Sequence, residues 1–112
     1  MKVYLYFVGK PRDRHANAMA EDYIERSRKF AGCEMREIRP GRFDPWERHP
    51  SATRILLDPA GRAMDSAALA ALFSKSEMQG RDLVFVIGGA DGLPGEWRER
   101  ADILLSLTQL TL

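Results

Sequence analysis

A single cysteine, Cys33, excludes an internal disulfide framework and fits a reducing cytosol, so a cytoplasmic protein is expected. The two histidines, His15 and His49, share no ligand spacing with each other or with Cys33, and no metal site is expected. No apolar run approaches the roughly 20 residues that span a bilayer. The opening apolar residues 1–8 are too short for a signal segment. They run into Gly9-Lys10-Pro11-Arg12 rather than a small-residue cleavage site, so no membrane partner is expected. Charge is also missing as a guide. Seventeen Lys+Arg stand against 16 Asp+Glu, a net charge of +1, which neither demands nor excludes a nucleic-acid partner.

Several chemistries are absent as well. No G-x-G-x-x-G follows the first apolar run, which argues against a dinucleotide-binding domain. There is no G-x-x-x-x-G-K-[ST] phosphate loop and no G-x-S-x-G nucleophile elbow. Cys33 stands at a strand start and reads as a small core hydrophobe rather than a nucleophile. Glu96 and Glu99 flank Trp97 on a charged helix and read as a solvated face, not an acid/base pair.

What is present is an ordinary globular composition, 45% hydrophobic and 29% charged, in 112 residues. That length corresponds to one domain, residues 1–112, able to bury a core without staples. Basic residues gather in two places: Lys10, Arg12, Arg14 and His15, then Arg36, Arg39 and Arg42. Composition alone favours solvated faces for both.

Residues 2–8 form an apolar, β-rich run closed by Gly9 and Pro11. Asp13 can cap a helix whose face is Ala16, Met19, Ala20, Tyr23, Ile24, Ser27 and Phe30, with Gly32 to end it. Residues 33–38 read as a strand with one polar side. Pro40, Pro45 and Pro50 make residues 39–52 a loop, with Phe43 and Trp46 packing over the core. A strand over 53–57 ends in a turn at Asp58-Pro59-Ala60-Gly61-Arg62. Asp65 or Ser66 caps a helix over about 66–79, with Leu69, Leu72, Phe73 and Ser76 on its inner face and Gly80 at its end. Residues 83–87 are apolar without alternation, as in a central strand covered on both faces. Gly88, Gly89 and Gly92 turn the chain, Pro94 suits an early helical position, a short helix covers about 95–102, and a last strand covers 103–105. Strand and helix alternate, so an α/β fold with a mostly parallel sheet is expected. Its ligand sites belong beyond the carboxyl ends of the strands.

Three segments at those ends occur in order: Leu-Asp-x-x-Gly at 57–61, Ile-Gly-Gly-x-x-Gly-Leu at 87–93, and Ala-Asp-x-x-Leu-Ser-Leu-Thr-x-Leu-Thr-Leu at 101–112. This trio resembles the SPOUT methyltransferases, and within them the ribosomal RNA large subunit methyltransferase H family. The likeness extends over nearly the whole chain, including the first strand, the aromatic helix from Tyr23 to Phe30 and the Glu37-Ile38 strand end.

The resemblance implies an α/β knot that binds S-adenosylmethionine, acts as a homodimer, and methylates N3 of a pseudouridine in the 23S rRNA of assembled ribosomes. Carried over by position, the cofactor contacts are Leu57, Gly88, Leu107, Thr108, Gln109, Leu110, Thr111 and Leu112. Turn backbone would read the adenine edge, and Leu57, Leu107 and Leu110 would wall the adenine and thioether. Two departures accompany it. The stretch before Leu57 is shorter than the family's and carries prolines where the family has a helix. The family also continues past the position of Leu112 with a Pro-His segment and a helix ending in Tyr-His. That tail closes the knot and carries the catalytic side chains, so no catalytic residue is assigned here. The expectation is that the 112 residues alone bind the cofactor weakly or not at all, and that residues 103–112 are covered by a second copy or by lattice neighbours, are disordered, or run on into a longer natural chain. A different class of function, a non-catalytic α/β module binding RNA or protein, is the alternative.

Overall fold

The computed structural model describes residues 2–8, 33–63, 66–88 and 94–106, and the account below concerns these. Their strands are β1 (Val3–Val8), β2 (Cys33–Ile38), β3 (Thr53–Ala63), β4 (Leu83–Ile87) and β5 (Ile103–Ser106). Their helices are α1 (Pro45–Arg48), α2 (Ser66–Gln79) and α3 (Gly95–Arg100). The helix read over residues 13–31 lies outside the described residues.

The strands form one five-stranded sheet in the order β2-β1-β4-β3-β5, and every pairing is parallel. Side-chain alternation divides its core in two. Val3, Leu5, Ile55, Leu57, Leu83, Phe85, Ile87 and Leu105 face α2, whose Leu69 and Phe73 complete that layer. Tyr6, Ile38, Leu56, Val84 and Val86 face the opposite side, covered by Trp46 of α1 and Trp97 of α3. The central strand β4 is buried at every position, which explains its unbroken apolar run.

The direction of each connection accounts for this layering. From β2 to β3 and from β4 to β5 the chain moves one way across the sheet, carrying α1 and α3; from β3 to β4 it returns, carrying α2. Crossovers of a single hand must then place α1 and α3 on one face and α2 on the other. The two tryptophans lie in one core layer and Leu69 and Phe73 in the other, as that rule requires.

Local chemistry sets the boundaries. Gly80 has φ +66 and follows α2. Its N–H donates to the Glu77 carbonyl at 3.2 Å, while the Arg81 N–H reaches back to Ser76 at 2.9 Å. Together these are a Schellman close, which needs the left-handed conformation that glycine adopts freely. In the same connection Asp82 joins the amino ends of two strands. Its Oδ1 accepts from the Lys2 N–H at 2.8 Å, and its carbonyl accepts from the Thr53 N–H at 2.9 Å.

Four expectations change. Residues 39–52 contain a helical turn, because Asp44 caps it: Oδ1 accepts from the Trp46 N–H at 2.9 Å and from Glu47 at 3.3 Å, with Pro45 at the first helical position. The turn read at residues 58–62 is instead a bulge within β3, which runs to Ala63; Leu105 is level with both Leu57 and Arg62. Pro59 has no N–H for a ladder, so the strand loops out and pairs again. The third helix stops at Arg100, not 102. Finally, β2 is polar on both sides: Glu34, Met35, Arg36 and Glu37 are all exposed, because it is an edge strand.

Candidate functional site at the carboxyl ends of the strands

Parallel pairing brings the strand tips into one line. Glu37 is level with Phe7, Phe7 with Ile87, Ile87 with Leu57, and Leu57 with Leu105. The ladders on both sides of β4 end at Ile87, so Gly88 is the first residue beyond them. Leu57 is buried at 7% exposure and Gly88 is half-buried. The two residues singled out separately in the sequence therefore sit on neighbouring strand ends. Leu107, Thr108, Gln109, Leu110, Thr111 and Leu112 lie outside the described residues.

Strand order gives this end of the sheet its shape. The chain leaves β1 toward β2 on one side, and leaves β4 toward β5 on the other. Neighbouring strands whose outgoing connections diverge leave a crevice beyond their carboxyl ends, the usual ligand site of an open parallel sheet. Here the crevice lies between Val8 and Gly88. Glycine presents its main chain there without a Cβ, and the buried Ile87 and, one strand over, Leu57 end the core layer beside it. Such a place suits a ligand with an apolar ring and a hydrogen-bonding edge.

The bulge in β3 opens at the same end. Four positions of β3, residues 58–61, separate Leu57 from Arg62, yet both are level with Leu105 of β5. The main chain of this segment is thus displaced from the ladder beside Leu57. Bulges recur where a sheet edge borders a site.

A second group of residues, unassigned in the sequence, lies on the α1 face near β1. The Tyr6 hydroxyl and His49 Nε2 are hydrogen-bonded at 2.6 Å. Tyr4 packs on the His49 ring with centroids 4.1 Å apart, and Phe43 lies 5.1 Å from Tyr6. The Arg36 guanidinium stands 5.3 Å over the Phe43 ring. Burial, and then Arg48, holds the His49 pKa below its ordinary value. Burial, and then Glu34, raises that of Tyr6. Both shifts favour the neutral pair. The alternation of Tyr4 and Tyr6 in β1 was the available signal, but nothing in the sequence showed that His49 would return to them.

Among the described residues no group of three or more His, Cys, Asp or Glu is placed to hold a metal ion. No described helix is long and apolar enough to cross a membrane. Glu96 and Glu99 are exposed while Trp97 between them is buried, a solvated face over a core anchor.

Comparison with known proteins bears on the same chain. A family model described as "Predicted SPOUT methyltransferase" matches residues 1–112. A protein of Solibacter usitatus named ribosomal RNA large subunit methyltransferase H is 64% identical over 111 residues, covering 99% of this chain and 80% of the relative. Proteins of the same name from Thermus thermophilus and Chromobacterium violaceum are 35% and 34% identical, over 100% of this chain and 80% and 82% of their own lengths. With its whole length matched and its strands arranged as a parallel α/β sheet, the chain belongs to the SPOUT methyltransferase family and is an enzyme of that class.

Proposed function

We propose that this protein transfers a methyl group from S-adenosylmethionine to N3 of a pseudouridine in 23S rRNA, acting on the assembled ribosome in the cytoplasm. The observation that carries this reading is the 64% identity to a ribosomal RNA large subunit methyltransferase H across 99% of the chain. The location of Leu57 and Gly88 at adjoining strand tips supports the cofactor half of it. In this reading residues 1–112 belong to one methyltransferase domain of the α/β-knot type, whose knot-closing segment in the family follows the position of Leu112, and two copies make the working unit.

The cofactor supplies a sulfonium-bound methyl group, so the protein's part is to orient donor and acceptor and to exclude water. Leu57 and Gly88 would hold the adenosyl portion from the sheet side: Leu57 by apolar contact, Gly88 through main-chain groups beyond the ladder. Leu107, Thr108, Gln109, Leu110, Thr111 and Leu112 would complete the cradle.

The test is methyl transfer from labelled S-adenosylmethionine to large ribosomal subunits that lack the modification, by the chain extended to the relatives' full length, with the product nucleotide mapped by mass spectrometry. Label in a 23S pseudouridine is the expected result. A Gly88→Val variant should remain folded yet bind the cofactor more weakly by calorimetry than the unsubstituted chain, both extended to the relatives' full length, because a branched Cβ would occupy the space that glycine leaves open. An affinity equal to that of the unsubstituted chain of the same length refutes the assigned cradle. RNA binding without methyl transfer by the wild-type protein would favour the non-catalytic module instead.

A further inference from the structure

The turn after β2 carries Arg39 and Arg42, both exposed, and neither forms an ion pair with another described residue. Its position is set by the sheet. Ile38 is level with Val8, and Gly88 follows the residue level with Phe7, so Ile38, Val8 and Gly88 share one row. Arg39 is the next residue out from that row. Strands β2 and β4 flank β1, which puts their tips about 10 Å apart at the usual strand spacing. An extended arginine can cover much of that distance.

The turn is also held firmly. The Arg39 carbonyl accepts from the N–H groups of both Arg42 and Phe43 at 3.0 Å. Asp44 then caps α1, and Trp46 anchors that helix at 1% exposure with its Nε1 donating to the Trp97 carbonyl at 3.1 Å. Behind the turn, Arg36 rests on Phe43. The nearby acids do not cancel this charge. Asp44 is occupied by its cap and by Arg100 at 3.0 Å, Glu34 lies level with Tyr4 toward the far end, and Glu37 sets one negative charge against the three positive charges of Arg36, Arg39 and Arg42. Residues 38–43 contain no acid at all.

We propose that Arg39 and Arg42 form a phosphate-binding clamp for the ribosomal RNA strand beside the nucleotide presented at Gly88, with Arg36 on Phe43 supporting it. This rests on the functional reading above and adds to it the residues that seat the substrate. Guanidinium groups on a rigid turn engage phosphate oxygens in pairs without reading sequence, and so fix the register of the strand. A phosphate contact lowers log K by about 0.7 per tenfold rise in salt for a single strand, or about fivefold in affinity between 0.1 M and 1 M. Two contacts therefore amount to about 25-fold.

The experiment measures binding of large ribosomal subunits to the wild-type protein, R39Q/R42Q, R39K/R42K and a distant control, Arg81→Gln, across a salt series. Cofactor binding by calorimetry and circular dichroism run in parallel. The expected result is a loss of about 25-fold for R39Q/R42Q at 0.1 M salt, with a salt slope shallower by about 1.4. The lysine pair should retain most of the slope, and Arg81→Gln all of it. Cofactor affinity should not change in any variant. Wild-type affinity and slope in R39Q/R42Q overturn the clamp alone, as does an equal loss in Arg81→Gln. A wild-type protein that neither binds nor methylates large subunits overturns the functional reading, and the clamp with it.

Discussion

Substituting Trp46 by Phe tests how the face opposite α2 is held together. Trp46 and Trp97 are both 1% exposed, and the Trp46 indole N–H donates to the Trp97 carbonyl at 3.1 Å. That bond links α1 to α3 across 51 residues of sequence. Phenylalanine keeps a ring in place but leaves a buried carbonyl without its donor, at a cost of about 1–3 kcal/mol. It also removes roughly 40 Å³ of side chain, adding about 1 kcal/mol if the site does not collapse. The expected destabilisation is about 2–4 kcal/mol. Since a domain of this length loses about 4 °C in Tm per kcal/mol, Tm should fall by about 8–16 °C. Urea unfolding followed by circular dichroism at fixed pH measures the free energy, and the slope m should not change. A Tm within about 4 °C of wild type would refute the reasoning. It would mean that the carbonyl is readily satisfied without the indole, and that α1 and the turn before it are anchored by other contacts.

Two further outcomes follow from other parts of the structure. Because the folded pKa of His49 lies below its unfolded value of 6.5, the folded state binds fewer protons there, and its stability should fall as pH drops from about 6.5 through the lowered value; urea midpoints at pH 7.5 and 5 should differ less in His49→Gln than in wild type, and equal differences would count against it. Gly80 has φ +66, and a Cβ added there would meet nothing within 4 Å. Gly80→Ala should therefore cost about 1 kcal/mol through backbone strain alone, whereas Gly80→Asn should cost less; thermal melts of the two variants separate strain from packing.

Much of this architecture is legible from residue order. The run over 83–87 had no polar position, and β4 is buried on both faces. Leu69, Phe73 and Ser76 repeat at helical spacing, and all three are buried on α2. Gly80 ends that helix as its position suggested. Prolines misled in both directions. Pro45 marked a loop, but with Asp44 before it the same proline opens a helical turn, since the first helical position needs no N–H. Pro59 and Gly61 marked a turn, but pairing resumes with β5 beyond them, which only the neighbouring strand can dictate. In each case a local signal was correct about the missing donor and silent about what lay across from it.

The same distinction applies to the site. Leu57 and Gly88 are 31 positions apart, and nothing local to either requires them to meet. What joins them is strand order: β4 inserts between β1 and β3, making Ile87 level with both Phe7 and Leu57. That insertion makes the connections diverge at Val8 and Gly88, and it also sets the β2 turn two strands from Gly88. Had β2 paired with β5 instead, Arg39 and Arg42 would stand on the far side of the bulge in β3, and a strand clamped there would lie away from Gly88. In the proposed reading the sheet order, rather than any single motif, is therefore what would let one end of the molecule hold a cofactor at Gly88 and an RNA strand at Arg39 and Arg42 side by side.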